Sequence, residues 1–203
     1  MTIQPKQKRS VVTKNKIKAT AKRLFSEQGY YVITSNMIAK EAKVPIGSFY
    51  NYFGNKKGIL LELIKDFNET FHGDTITDYL EQNFEIMNQE DARQAIIHTL
   101  TNALLNSNLA DPFYRIIHAL QFTEQDVLEL SEQIRQKEIE ILTHFLEKIN
   151  TIHSVKNIPI KAKLIHSSAE NMGLYMHHLG TDFEKEALLQ ETVQMIYGYL
   201  FVE

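Results

Sequence analysis

Residues 44–56 have the sequence VPIGSFYNYFGNK, in which a helix start, a short aromatic helix and a helix stop follow one another. Pro45 fits the first turn of a helix, because the N–H groups of that turn have no intrahelical partners. Gly54 ends the helix, and Asn55 can then cap a further helix that begins at Lys56. The segment therefore predicts one short helix followed at once by another.

The short helix contains a glycine and two kinds of aromatic position. Gly47 costs roughly 1 kcal/mol relative to alanine inside a helix, and a backbone that must closely approach a partner would explain that cost. Phe49 and Phe53 are predicted core residues. Tyr50 and Tyr52 lie about 200° apart around a helix, so they cannot both face one core, and at least one of them is predicted to face solvent or a partner.

Two more helices are predicted upstream. Thr13 is the predicted N-cap of the first, residues 1–12 form a flexible basic arm before it, and Gly29 ends it. Thr34 or Ser35 caps the second. The apolar residues at helical spacing are Ile17, Ala21, Leu24 and Phe25 in the first helix and Ile38, Ala39 and Ala42 in the second. With a tight turn at 43–44 before the aromatic helix, this is the pattern of a helix-turn-helix.

Charge is distributed unevenly along the chain. The net charge of the whole sequence is -3. Residues 1–65 hold 13 lysines and arginines against 3 acidic residues, and residues 66–203 hold 9 against 22. A basic segment followed by an acidic one indicates a polyanion partner for the first part alone.

The rest of the chain is predicted to be helical, which makes the whole protein all-α. With 203 residues, 8 glycines and 4 prolines, long helices are easier to fit than many strands. The absence of cysteine excludes disulfides and thiolate chemistry and fits the cytoplasm, the predicted location. No apolar run is long enough to span a membrane, so no membrane partner is expected.

From Gly29 to Leu63 the chain resembles the tetracycline-repressor (TetR) family of transcription regulators. The residues that carry the resemblance are Gly29, Tyr30, Ile38, Ala39, Ala42, Val44, Gly47, Phe49, Tyr50, Tyr52, Phe53 and Lys56. The resemblance implies an N-terminal three-helix DNA-binding domain, residues 1–57, and a C-terminal helical ligand-binding and dimerisation domain, residues 58–203. It covers about the first third of the chain.

The resemblance also implies a set of DNA-contacting residues. Positions corresponding to Ile46, Gly47, Ser48, Tyr50, Tyr52 and Asn36 face DNA, Thr34 and Ser35 contact phosphate, and Lys56 pairs with a phosphate at the positive end of its helix. Asn36 or Asn51 can pair with adenine, and Ile46 can pack on a thymine methyl group. Because residues 45–53 contain no arginine, lysine or glutamine, an A/T-rich half-site is predicted, with Lys6, Lys8 and Arg9 adding affinity for DNA.

Three residues depart from the family pattern. Pro45 replaces a serine, so the short aromatic helix, which corresponds to the recognition helix of the family, loses a side-chain cap. Lys43 replaces a glycine in the turn, so a left-handed conformation there is strained. Met37 stands where an acidic residue is frequent. These departures affect local geometry and leave the motif intact.

For the remainder of the chain, the resemblance implies a sensor and a dimer. The fourth helix links the DNA-binding domain to a pocket for an unidentified small-molecule effector, and the last two helices pair two subunits into a homodimer on a double-stranded operator. The candidate pocket residues are Phe67, Phe71, Phe113, Ile117, Phe122, Phe145, Met172 and Met176. The function predicted is that of a ligand-responsive regulator, commonly a repressor.

Two other function classes, an enzyme and an architectural protein, are alternatives. The sequence contains no phosphate loop, nucleophile elbow or zinc-protease motif, so no enzyme, cofactor or metal site is predicted. A ligand-independent architectural DNA-binding protein would share the same DNA-binding domain. An enclosed cavity in the C-terminal domain would favour the sensor, and a tightly packed core would favour the architectural protein.

Overall fold

The computed structural model describes residues 5–74, 89–105, 108–151, 154–178 and 181–201, and within these ranges it is all-helical, as predicted. The helices are α1 (Pro5–Gln28), α2 (Ser35–Glu41), α3 (Ile46–Phe53), α4 (Lys56–Asp74), α5 (Gln89–Leu105), α6 (Pro112–Leu120), α7 (Gln125–Asn150), α8 (Ile158–His178) and α9 (Asp182–Phe201). A single 3₁₀ turn, Asn108–Ala110, precedes α6. Over these same ranges, the helices are too short or too polar to cross a lipid bilayer.

The chain divides into two compact units. The first unit consists of residues within 1–68 and 111–130, and the second of residues within 69–110 and 131–203. The first unit therefore contains α6 and the start of α7 in addition to the N-terminal helices. The functional boundary between residues 57 and 58 stays a prediction.

Helix α1 begins much earlier than expected. It runs from Pro5, so the described part of the predicted arm is helical and not flexible. Thr13 is not an N-cap, because its hydroxyl donates a hydrogen bond to the carbonyl of Arg9, 2.9 Å away, inside the helix. Proline at the first helical position and the absence of a helix breaker in residues 6–28 explain the extension.

The core of the first unit joins the first four helices. Buried side chains of α1, α2, α3, α4 and the loop before α2 form this core, and full burial of a large apolar side chain contributes about 1.5–3 kcal/mol of stabilisation. These core residues are Ile17, Ala21, Leu24, Phe25, Ile33, Ile38, Ala39, Phe49, Phe53, Ile59, Leu60, Leu63 and Ile64. Helix α3 packs into this core through Phe49 and Phe53.

Helix α6 packs against α1 within the same unit. Its buried residues Phe113, Ile117 and Leu120 recur at helical spacing. Asp111 caps it, since its Oδ1 accepts a hydrogen bond of 2.8 Å from the N–H of Phe113. Asp111 followed by Pro112 is thus a local signal for the start of this helix.

The second unit has its own core between α5, α7, α8 and α9. Its buried residues are Ala95, Ile96, Leu100, Ile139, Phe145, Leu146, Ile149, Val155, Ala162, Ile165, Ile196 and Leu200. Gly173 of α8 lies so close to Leu109 that a larger side chain would overlap the leucine. The 3₁₀ turn is thereby fixed on α8.

Thr99 is a polar residue inside this second core. It is 8% exposed, and its hydroxyl has no hydrogen-bond partner among the described residues. It lines a cavity of about 20 Å³ whose other lining residues are apolar. A buried hydroxyl without a partner costs about 1–3 kcal/mol.

Replacing Thr99 by valine is therefore expected to stabilise the protein by about 1–2 kcal/mol, because the shape is kept and the desolvation cost is removed. Chemical denaturation of the purified variant measures the change. Thr143→Val is the matched control, because the Thr143 hydroxyl donates a 2.7 Å hydrogen bond to the carbonyl of Ile139. A Thr99→Val protein no more stable than wild type would contradict the assignment.

Candidate nucleic-acid interface

The turn between α2 and α3 is closed by backbone hydrogen bonds. Thr34 caps α2 through a 3.2 Å hydrogen bond from the N–H of Met37. At the other end, the N–H groups of Lys43 and Val44 donate to the carbonyls of Lys40 and Ala39, both at 3.0 Å. This is a Schellman motif, whose left-handed position normally holds glycine.

Lys43 occupies that left-handed position, with φ of +53°. The strain predicted from the sequence is therefore present, at a cost of roughly 1 kcal/mol. Pro45 follows with no side-chain cap on α3, as predicted. The turn is tight because of its backbone bonds, without help from a glycine or a serine.

Helix α3 has one buried face and one exposed face. Phe49 and Phe53 are buried, and their rings lie 5.6 Å apart. Ile46 and Asn51 are exposed, and Tyr50 has 48% of its surface exposed. A short helix anchored by two aromatic side chains can thus present its other side to the major groove of DNA.

Gly47 lies on α3 with free space beside it. A methyl group added at this position would meet no atom of the chain within 4 Å. Its φ is not in the left-handed region, so the backbone does not need glycine here either. Neither packing nor conformation accounts for this glycine, which supports a close approach by an external partner.

Tyr52 differs from Tyr50 in being half-buried. Its hydroxyl lies 3.0 Å from the hydroxyl of Ser10, in the unexpected N-terminal part of α1. Arg9 is exposed in the same turn. The side chains of Lys6 and Lys8 lie outside the described residues. The start of α1 thus lies beside α3, the predicted recognition helix, where additional DNA contacts are possible.

Lys56 begins α4 and is tied to the loop after α1. Its Nζ donates a 2.9 Å hydrogen bond to the carbonyl of Tyr30 and lies 4.1 Å from the centre of the Tyr30 ring. Burial lowers the pKa of Lys56 from its ordinary value, because it penalises the charged form. Asn55 caps α4 as predicted, accepting a 2.8 Å hydrogen bond from the N–H of Gly58.

The remaining predicted DNA contacts lie at the start of α2 and α3. Thr34 and Asn36 are exposed, while Ser35 and Ser48 are half-buried. The Thr34 hydroxyl is already engaged in capping α2. These residues belong to the same unit as the exposed face of α3, and their contacts with DNA remain a prediction.

Several basic residues of the first unit are paired internally. Lys14 and Lys18 bind Glu62, and Lys22 lies 2.6 Å from Asp111. Lys57 lies 2.7 Å from Asp126, and the hydrogen bonds to Asp126 and Glu124 raise the pKa of Lys57. The positive charge counted from the sequence is therefore partly neutralised within the unit.

The predicted effector residues fall into both units. Phe67 and Phe113 are buried in the first, with ring centroids 6.0 Å apart, and Ile117 is buried there too. Phe122 of the same unit is 78% exposed. The structure therefore brings part of the predicted set together and leaves Phe122 outside it.

The other predicted effector residues belong to the second unit. Phe145 and Met176 are buried, and Met172 is half-buried. The side chain of Phe71 lies outside the described residues. In the described part of the chain, no three histidine or acidic side chains are arranged to hold a metal ion.

Helices α8 and α9 of the second unit form an open groove of about 670 Å³. The residues lining it are Ser168, Asn171, Met172, Tyr175, Glu184, Ala187, Leu188, Glu191 and Met195. Tyr175 and Met195 are exposed, as are Leu164 on α8 and Tyr199 on α9. The two last helices thus present apolar side chains to solvent along a shared face.

Residues 17–63, which include most of α1, all of α2 and α3 and the start of α4, match the family model described as bacterial regulatory proteins, tetR family. Over these residues the chain is similar to regulators of the TetR family. The resemblance inferred from the motif between Gly29 and Leu63 is thereby confirmed.

The curated relatives match only part of this chain and less than half of their own length. The transcriptional regulator HbdR of Aromatoleum sp. (strain CIB) is 47% identical over 58 residues, which cover 29% of this chain and 25% of HbdR. The FadR regulator of Bacillus subtilis, solved in complex with stearoyl-CoA, superposes with a TM-score of 0.72 at 17% identity, over 91% of this chain and 98% of FadR.

A protein from Saccharomonospora viridis, solved in complex with choline, gives a TM-score of 0.72 at 15% identity, over 93% of this chain and 97% of the other. At these identities the likeness to both structures shows a shared fold. The predicted architecture, an N-terminal helix-turn-helix followed by a helical domain, is confirmed.

Sequence reasoning missed three residues that the structure makes prominent. These residues, to which the sequence motifs assign no role, are Lys22, Tyr31 and Lys57. Their partners lie between residues 111 and 126, far away in sequence. No local pattern signals such pairs, because only tertiary packing brings them together.

Proposed function

We propose that this protein is a ligand-responsive transcription regulator that binds a palindromic DNA operator as a homodimer. Binding represses transcription by blocking the promoter, and a small-molecule effector releases the protein. This function includes no catalytic step.

The observation that carries the proposal is the exposed face of α3. Phe49 and Phe53 anchor the helix, while Ile46, Gly47 and Tyr50 are directed away from the core. Ile46 suits the methyl group of thymine, and the face lacks the arginine that usually recognises guanine. We therefore expect A/T-rich half-sites, with Asn36 and Asn51 available for adenine.

The dimer is supported by the groove between α8 and α9. Its apolar face is partly exposed in the single chain, and burying such a face against the same face of a second copy gives a symmetric interface. Gly198, on α9 beside Met195 and Tyr199, has free space where a side chain would lie. We infer that a second copy of this chain covers the groove and sets two recognition helices about 34–36 Å apart.

The effector is supported by the comparison structures. Proteins of the same fold have been solved with choline and with stearoyl-CoA. We propose that this chain likewise binds a small molecule in its C-terminal helical domain. An effector that binds the released form more tightly than the DNA-bound form weakens operator binding by the same factor.

Selection from a random 30-base-pair duplex library tests the function directly. Wild type is expected to select palindromic, A/T-rich duplexes and to bind them with strong salt dependence. Lys56→Met is expected to reduce the magnitude of the slope of log affinity against log salt by about 1.8, because each of the two subunits loses one phosphate contact worth about 0.9.

Lys57→Met is the matched control for this slope. It removes the same charge one residue away, from a side chain already paired with Asp126, so the slope should stay at the wild-type value. Failure of wild type to enrich any duplex would reject DNA binding. Equal slopes for Lys56→Met and wild type would remove Lys56 from the set of phosphate contacts.

A further inference from the structure

We propose that residues 123–126, which lead into α7, position the recognition helix by holding Tyr31 and Lys57. The inference rests on the proposed binding of DNA by α3 and adds a means of controlling it. Tyr31 and Lys57 act as positioning residues, because they orient α3 without touching DNA.

Two side chains of the DNA-binding part converge on this short segment. The hydroxyl of Tyr31, from the loop between α1 and α2, lies 2.8 Å from the Thr123 hydroxyl and 3.1 Å from the Glu124 carboxylate. The ammonium group of Lys57, from the first turn of α4, lies 3.3 Å from Glu124 and 2.7 Å from Asp126. Glu124 thus accepts a hydrogen bond from Tyr31 and forms an ion pair with Lys57, so it links the α1–α2 loop to the first turn of α4.

Lys57 is rigidly connected to α3. The N–H of Gly54 donates to the carbonyl of Tyr50 at 3.0 Å, and Asn55, two residues after α3 ends, caps α4. Gly58 lies so close to the carbonyl of Phe53 that a methyl group there would overlap it. With so little free space at the junction, displacing the first turn of α4 displaces α3.

The same segment is continuous with the second unit through the chain itself. Residues 123–130 belong to the first unit, and the rest of α7 belongs to the second. A helix transmits a shift along its axis, so a change that moves α7 reaches Glu124 and Asp126.

A second ion pair secures the other end of α6 in the same unit. Asp111 caps α6 with Oδ1, while its Oδ2 lies 2.6 Å from the ammonium group of Lys22. That ammonium group also lies 5.1 Å from the centre of the Phe67 ring. The segment from 111 to 126 is therefore held at both ends, which makes it a fixed support for Tyr31 and Lys57.

The test is a double variant, Glu124→Gln with Asp126→Asn, assayed on the duplex that wild type selects from the random library. It removes two negative charges, which by itself favours binding to DNA. The inference predicts the opposite, about fivefold weaker binding, as the loss of exposed ion pairs of ordinary strength would give. The salt slope should stay unchanged, because no phosphate contact is lost.

The matched control is Glu140→Gln with Glu147→Gln. Both glutamates are exposed on α7, and the control removes the same charge from the same helix. It should bind DNA as tightly as wild type or more tightly. Weaker binding confined to the 124/126 variant, with an unchanged slope, supports the inference.

Binding by the 124/126 variant that equals or exceeds that of the control would overturn the inference. A steeper salt slope with tighter binding would show that the two acids merely mask Lys57. If the double variant does not fold, Tyr31→Phe replaces it, since it removes a single exposed hydroxyl. Unchanged binding by Tyr31→Phe would then overturn the inference. If wild type selects no duplex, it is the proposed function that fails.

Discussion

Replacing Gly47 by alanine is expected to stabilise the free protein by about 0.5–1 kcal/mol. The same variant is expected to bind the operator about tenfold to a hundredfold more weakly, which corresponds to about 1–3 kcal/mol of overpacking in a close contact. The stability gain follows from helix propensity, since the added methyl group meets nothing within 4 Å in the chain. The loss of binding follows from its position on the exposed face of α3. Thermal or chemical unfolding and a binding assay on the selected duplex measure the two effects separately.

This variant is informative because its stability is expected to rise while its affinity for the operator falls. A general loss of structure would lower stability and binding together. Gly58→Ala provides the contrast, because its methyl group would overlap the carbonyl of Phe53, so that variant should be less stable than wild type. Wild-type affinity in Gly47→Ala would mean that DNA does not approach α3 at this position.

Replacing Met195 by glutamate is expected to convert the proposed dimer into a monomer and to weaken operator binding by about a hundredfold or more, because linked half-sites gain roughly 10²–10⁴ over single ones. Met195 is 54% exposed and lines the groove between α8 and α9. A charge placed there must be desolvated if a second copy covers it, at a cost that association does not recover. Sedimentation equilibrium and the duplex-binding assay measure both effects.

Phe122→Glu is the control for this second variant. Phe122 is more exposed than Met195 but belongs to the first unit, whereas α8 and α9 belong to the second. It should leave the oligomeric state unchanged. A Met195→Glu protein that remains dimeric would show that the second copy does not cover this groove.

Local signals in the sequence were interpreted correctly where neighbouring residues decide the outcome. The ends of α1, α2 and α4 depend on residues within one turn, so Gly29, Thr34 and Asn55 could be assigned from the sequence. The strain at Lys43 was predictable for the same reason. Thr13 was assigned wrongly, because a hydroxyl can serve a helix interior as well as a helix start, and the choice depends on the residues before it.

The sequence alone was enough to establish the helix-turn-helix, the division of α3 into an anchoring and an exposed face, and the basic character of the N-terminal part. All three follow from the order and spacing of residues along a single segment. Tertiary packing was needed to show that α6 joins the DNA-binding part, that Lys57 and Tyr31 are held by residues 123–126, and that Phe122 is exposed while Phe113 is buried. Such contacts join residues that are tens of positions apart, and their formation depends on how whole helices pack, which no local pattern encodes.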